Sequence, residues 1–71
     1  GAGQTAKICN NMLLAIHMIG TAEAMKMAEK LGLDPQKFYE ISSVSSGMNW
    51  SLNTYPPLPG VGVASPADNG Y

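Results

Sequence analysis

Residues 4–35 read QTAKICNNMLLAIHMIGTAEAMKMAEKLGLDP, and this run decides the fold. It carries good helix formers throughout and no proline before its last position, Pro35. At about 100° per residue, Lys7, Asn11, Leu14, Met18, Met25 and Glu29 fall within about 60° of one another. Ile8, Met12, Leu13, Ile16 and Ile19 occupy the other faces, so the first five turns are apolar almost all round. That pattern predicts a buried central helix over residues 4–31. Only its last two turns become amphipathic, with Glu23, Lys26, Glu29 and Lys30 turned to water. Gly32 supplies the left-handed residue that ends it, and Leu33 is the apolar residue that follows such an end. Gly20 is the one internal weak point and reads as a place for a close crossing by another helix.

Working outward, Asp34 as N-cap and Pro35 at the first helical position restart the chain as a second helix. It places Phe38, Ile41 and Ser45 on one face and should end near Ser46 and Gly47. A short third helix is predicted over residues 48–54, bringing Trp50 and Tyr55 back toward the first. From Pro56 onward, Pro56, Pro57, Pro59, Gly60, Gly62 and Pro66 erase any periodicity. A run of this length without structure of its own is functional, or is completed by neighbouring chain. There is no internal repeat and no heptad pattern. The fold class is all-α: a long central helix, shorter helices and a Pro/Gly-rich loop.

Composition points to part of something larger. Seventy-one residues usually bury only about 60% of their unfolded surface. Charged residues make up 13%, against roughly 25% in an ordinary soluble domain, while hydrophobic residues make up 45% beside 8 glycines. A self-sufficient domain of this size needs more charge to cover its outside, so the chain is expected to be a segment of a longer protein. A net charge of -1 and four scattered lysines (Lys7, Lys26, Lys30 and Lys37) give no footprint for nucleic acid. The single cysteine, Cys9, cannot close an internal disulfide, which fits a reduced compartment. No signal-peptide pattern is visible, and the longest apolar stretch, residues 12–20, is too short to span a bilayer.

The opening, Gly1-Ala2-Gly3-Gln4-Thr5-Ala6-Lys7-Ile8-Cys9-Asn10-Asn11, has the pattern G-x-G-x-x-x-K-x-x-x-N. On a helix, Lys7 and Asn11 stack one turn apart on one face. A cation in a first helical turn opposes the helix dipole, and that unfavourable placement suggests a functional reason. An ammonium beside a carboxamide suits proton transfer with a small hydroxyl-bearing substrate. The competing reading is a solvated lysine at a helix start. A phosphate loop fails, because Ala6 precedes Lys7 and Ile8 follows it. The dinucleotide fingerprint fails too, since its third glycine falls on Ala6. Serines 42, 43, 45 and 46 lack a nucleophile elbow and read as turn residues. His17, between Ile16 and Met18, reads as a packed core histidine. One histidine and one cysteine cannot close a zinc site, so no metal is expected. Methionines 12, 18, 25 and 27 read as core filler. Trp50 and Tyr55 read as core anchors by composition, although the Pro-rich loop behind them is suited to walling a pocket.

These motifs resemble a known family. The G-x-G-x-x-x-K-x-x-x-N element is similar to that of the β-hydroxyacid dehydrogenases, which include tartronate semialdehyde reductases and, more distantly, 6-phosphogluconate dehydrogenase. The Asn10-Asn11 pair, Gly20-Thr21-Ala22-Glu23-Ala24-Met25, Leu31-Gly32-Leu33-Asp34-Pro35, Ser45-Ser46-Gly47, Trp50-Ser51 and Tyr55-Pro56-Pro57-Leu58-Pro59-Gly60-Val61 narrow the resemblance to the 3-hydroxyisobutyrate dehydrogenases. It covers essentially the whole chain. It implies that residues 1–71 are the first part of an all-helical C-terminal domain for substrate binding and dimerisation, with the NAD-binding Rossmann domain outside this chain. It implies Lys7 as the catalytic lysine and Asn11 as a substrate-binding residue, with Trp50 and Tyr55 lining the substrate pocket. It implies NAD as the cofactor, held mainly by the missing domain, and leaves open which residues of this stretch touch it. The implied reaction is NAD-dependent oxidation of 3-hydroxyisobutyrate to methylmalonate semialdehyde, in valine breakdown. Implied partners are a small hydroxy acid, the Rossmann domain and further copies of the chain, with neither nucleic acid nor membrane. The implied compartment is the cytoplasm in a bacterium or the mitochondrial matrix in a eukaryote. Two alternatives stay open: a relative acting on another hydroxy acid, such as a tartronate semialdehyde reductase, and a non-catalytic helical oligomerisation segment.

Overall fold

The computed structural model describes residues 1–58 and 60–62. Three helices run in chain order: α1 (Ala2–Lys30), α2 (Pro35–Ser42) and α3 (Trp50–Thr54). No strand occurs among the described residues, as the all-α reading expects. With a rise of about 1.5 Å per residue, the 29 residues of α1 span nearly the whole 46 Å length of the molecule. Gly20 does not interrupt α1, and nothing approaches within 4 Å of the position its Cβ would take. The close crossing anticipated there is absent among the described residues.

The stop after α1 follows the chemistry of its residues. Gly32 takes φ +87, a conformation costly for any residue with a Cβ. The Leu33 N–H donates to the Ala28 carbonyl at 2.8 Å and the Gly32 N–H to that of Glu29 at 3.0 Å. These are the two bonds of a Schellman ending. Asp34 then caps α2, its Oδ2 accepting from the backbone N–H of Gln36 at 3.1 Å and of Lys37 at 3.3 Å. Pro35 holds the first helical position.

Two expected boundaries shift. Helix α2 stops at Ser42, four residues short, and serine hydroxyls take over the carbonyls at its end: Ser43 Oγ donates to Glu40 O and Ser45 Oγ to Ile41 O at 2.6 Å. The serine cluster is therefore turn chemistry, as its spacing suggested. Ile41 is 57% exposed, and the face turned to α1 carries Phe38 and Ser42 instead of Phe38, Ile41 and Ser45. Helix α3 starts at Trp50 because Asn49 caps it, accepting the Leu52 N–H at 2.9 Å.

Both α2 and α3 pack on α1, whose buried residues, Thr21, Met25 and Ala28, all lie in its C-terminal half. The core is Met25, Ala28, Leu52 and Val61, with Thr21, Ser51 and Pro56 buried beside it. Thr21, Met25 and Ala28 lie within about 60° on α1, on the stripe that continues toward Leu14 and Lys7. The N-terminal half differs from expectation. Leu14 is half-buried, while Ile8, Met12, Leu13, Ile16 and Ile19 are exposed. The helix is apolar all round as read, but the short elements after it bury side chains only on its later turns. Among the described residues, no helix is long and apolar enough to cross a membrane. Pro59, Pro66 and the rest of the Pro/Gly-rich tail beyond Gly62 lie outside the described residues.

Candidate active site

Helix α1 begins at Ala2 with Gly1 as N-cap and no side-chain cap. Thr5 Oγ1 instead donates to the Gly1 carbonyl at 3.1 Å. Lys7 therefore sits in the second turn, beyond the orphan N–H groups, and the dipole conflict expected of a first-turn cation is weaker than the sequence suggested. Lys7 and Asn11 are both helical and exposed, one turn apart on one face. Lys7 forms no hydrogen bond or ion pair among the described residues, where the one ion pair joins Lys37 and Glu40 at 3.6 Å. Its three donors are free to meet a ligand.

One turn further along α1, Trp50 comes back against the helix. Asn10, Leu13, Leu14, His17 and Trp50 line a groove of about 460 Å³. Trp50 and Tyr55 stack with ring centroids 5.6 Å apart and planes 17° from parallel. Both rings remain accessible, at 56% and 45% exposure. They are therefore not the core anchors that composition favoured. The groove brings Asn10 and Trp50 together, with Tyr55 stacked on Trp50, and neither Lys7 nor Asn11 lines it.

His17 is a second departure. It is exposed and lines both the Trp50 groove and a neighbouring cavity of about 400 Å³ against α2. The apolar neighbours that suggested a packed histidine are themselves exposed. Asn10 belonged to the motif, but only the return of α3 gives it a partner surface, and no short-range pattern signals that. Among the described residues, no three histidines, cysteines, aspartates or glutamates gather to hold a metal ion. Among the described residues, no strand leads into a glycine-rich turn of the dinucleotide-binding kind.

A family profile described as "NAD-binding of NADP-dependent 3-hydroxyisobutyrate dehydrogenase" matches residues 1–60. The chain belongs to that family. Curated relatives align along its full length: the 3-hydroxyisobutyrate dehydrogenase of Pseudomonas aeruginosa is 61% identical and the human mitochondrial one 59%. A Pseudomonas aeruginosa NAD-dependent L-serine dehydrogenase is 54% identical. The chain spans only 24% of the first of these proteins and 21% of the second. Among solved structures, Mycobacterium tuberculosis 3-hydroxyisobutyrate dehydrogenase with L-serine superposes at a TM-score of 0.93 and 46% identity, over all of this chain and 24% of that one. Relatives thus occur both in a bacterium and in mitochondria.

Proposed function

We propose that this chain is the first part of the helical C-terminal domain of an NAD-dependent 3-hydroxyisobutyrate dehydrogenase, with Lys7 as its proton-transferring residue. The observation that carries the reading is the exposed Lys7–Asn11 pair, one turn apart on one face of α1, with Lys7 making no hydrogen bond or ion pair among the described residues. The family membership and the names of the relatives support it.

Oxidation of the carbinol to methylmalonate semialdehyde removes a hydride, which NAD accepts in the intact enzyme, and a proton, which falls to Lys7 Nζ. To take that proton the amine must be neutral. The Asn11 carboxamide, one turn on, hydrogen-bonds the hydroxyl or carboxylate and fixes the carbinol carbon for hydride departure. Trp50 and Tyr55 offer flat, partly apolar walls to a small branched acid. Dinucleotide binding belongs to a Rossmann domain outside these 71 residues, and the chain carries half a site. The apolar outer face of α1 supports a homo-oligomer built through the helical domain. The compartment is the bacterial cytoplasm or the mitochondrial matrix, following the two groups of relatives.

A second reading, oxidation of L-serine, is favoured by the relative named as an L-serine dehydrogenase and by the L-serine in the similar structure. Both acids present a hydroxyl two carbons from a carboxylate, so one lysine serves either. Steady-state NAD reduction by the full-length enzyme with 3-hydroxyisobutyrate, L-serine and tartronate semialdehyde (the last in the reverse direction) separates them. A kcat/KM highest for 3-hydroxyisobutyrate supports the first reading. Preference for L-serine supports the second. No turnover of any of the three refutes the dehydrogenase assignment.

A further inference from the structure

The geometry points to Thr21 and Asn49 as a positioning latch that sets the Trp50 indole in the substrate pocket; this rests on the reading of Trp50 as a pocket wall. Thr21 is buried on α1, nearly three turns beyond Asn11, and is not among the residues that line the groove with Trp50. Its hydroxyl lies 3.3 Å from Asn49 Nδ2 and 3.4 Å from Asn49 Oδ1. Asn49 is the residue before Trp50. Its Oδ1 caps α3 through the Leu52 N–H at 2.9 Å, and its Nδ2 also donates to the Gly47 carbonyl at 3.1 Å.

One carboxamide therefore joins three things: the turn before α3, the N–H of the third residue of α3 and the buried side of α1. Trp50 is the first residue of a five-residue helix, too short to hold its own direction. Below it, Leu52 and Ser51 bury their side chains and fix the depth of α3. They do not fix its rotation about Leu52. The Thr21–Asn49 contact restrains it at the N-terminal end, tying that end of α3 to α1, while beyond the pivot Asn53 Nδ2 donates to the Ser43 carbonyl at 3.2 Å. The indole is then turned onto Asn10, Leu14 and His17, and stacks on Tyr55. Loss of the hydroxyl frees the end of α3, lets the indole turn, and loosens substrate binding without touching the proton carrier.

The test uses the full-length enzyme and four variants: Thr21→Val, Thr21→Ser, Trp50→Ala and the Thr21→Val/Trp50→Ala pair. Valine keeps the shape of threonine and removes the hydroxyl; serine keeps the hydroxyl. Thr21→Val should raise the KM for the hydroxy acid about fivefold, the effect of one neutral hydrogen bond, with kcat and the KM for NAD little changed. Thr21→Ser should stay near the parent. In the Trp50→Ala background, Thr21→Val should add nothing, because the group it positions is gone. With fluorotryptophan incorporated, the fluorine resonance assigned to Trp50 should shift in Thr21→Val whether or not the enzyme turns over the acid. An unmoved Trp50 resonance overturns the latch, as does a Thr21→Val effect of equal size in both backgrounds. A shifted resonance with no change in any KM upon Trp50→Ala leaves the latch standing as a structural tie and refutes Trp50 as a pocket wall, so the two failures are told apart.

Discussion

Two glycines show what a single residue contributes. Gly32 and Gly62 both take positive φ, +87 and +82. At Gly32 an added Cβ meets nothing within 4 Å, so Gly32→Ala costs only the backbone strain, about 1 kcal/mol. At Gly62 the same atom lands 2.7 Å from Pro56 Cγ and 3.3 Å from Tyr39 Cε1, while the Gly62 N–H donates to Gln36 Oε1 at 3.1 Å. Gly62→Ala must move a buried proline as well, and should cost about 2–4 kcal/mol. Denaturant midpoints of the two variants in the full-length enzyme should rank in that order; equal losses would remove the role given to the Pro56 contact. Asn11 belongs to the same scale. Asn11→Ala removes positioning and leaves the proton carrier, so kcat should fall and KM rise together, each by about tenfold, in steady-state assays. A change confined to KM would make Asn11 a binding group alone.

At the scale of elements, α1 and its stop were legible because each signal is local: a proline-free run, then Gly32, Leu33, Asp34 and Pro35 in the order that a Schellman ending and a capped restart require. What was not legible depends on contacts between elements. The end of α2 moved to Ser42 because serine hydroxyls claimed carbonyls that another turn of helix would have used. The burial of α1 was misplaced because periodicity says which face is apolar and not which turns the later elements can reach. Asn10 and His17 joined the Trp50 groove for the same reason: only the path of α3 brings an indole over them. That path hangs on Leu52, which is 1% exposed. Leu52→Ala should therefore lower the stability of the helical domain by about 2–5 kcal/mol in chemical unfolding of the full-length enzyme. A loss below about 1 kcal/mol would mean that α3 is held elsewhere.

Taken as a whole, the described residues place their core under the last turns of one long helix and leave Ile8, Met12, Ile16 and Ile19 exposed along its earlier turns. A continuous apolar stripe of this kind marks a surface that other protein covers. Sedimentation of the isolated chain should show self-association, and a compact, cooperatively melting monomer would contradict that. On the proposed division of labour, in which the dinucleotide is held mainly by a domain outside these residues, the same chain should not reduce NAD. The central claim, that the opening helix brings the proton carrier to a hydroxy-acid dehydrogenase, is tested most directly by Lys7→Ala in the full-length enzyme with 3-hydroxyisobutyrate. General acid–base participation is worth about 10²–10⁴ in rate, so kcat should fall by at least 10² while NAD binding, followed by titration, is retained. A near-normal kcat in Lys7→Ala would make this lysine a solvated surface residue and contradict the account.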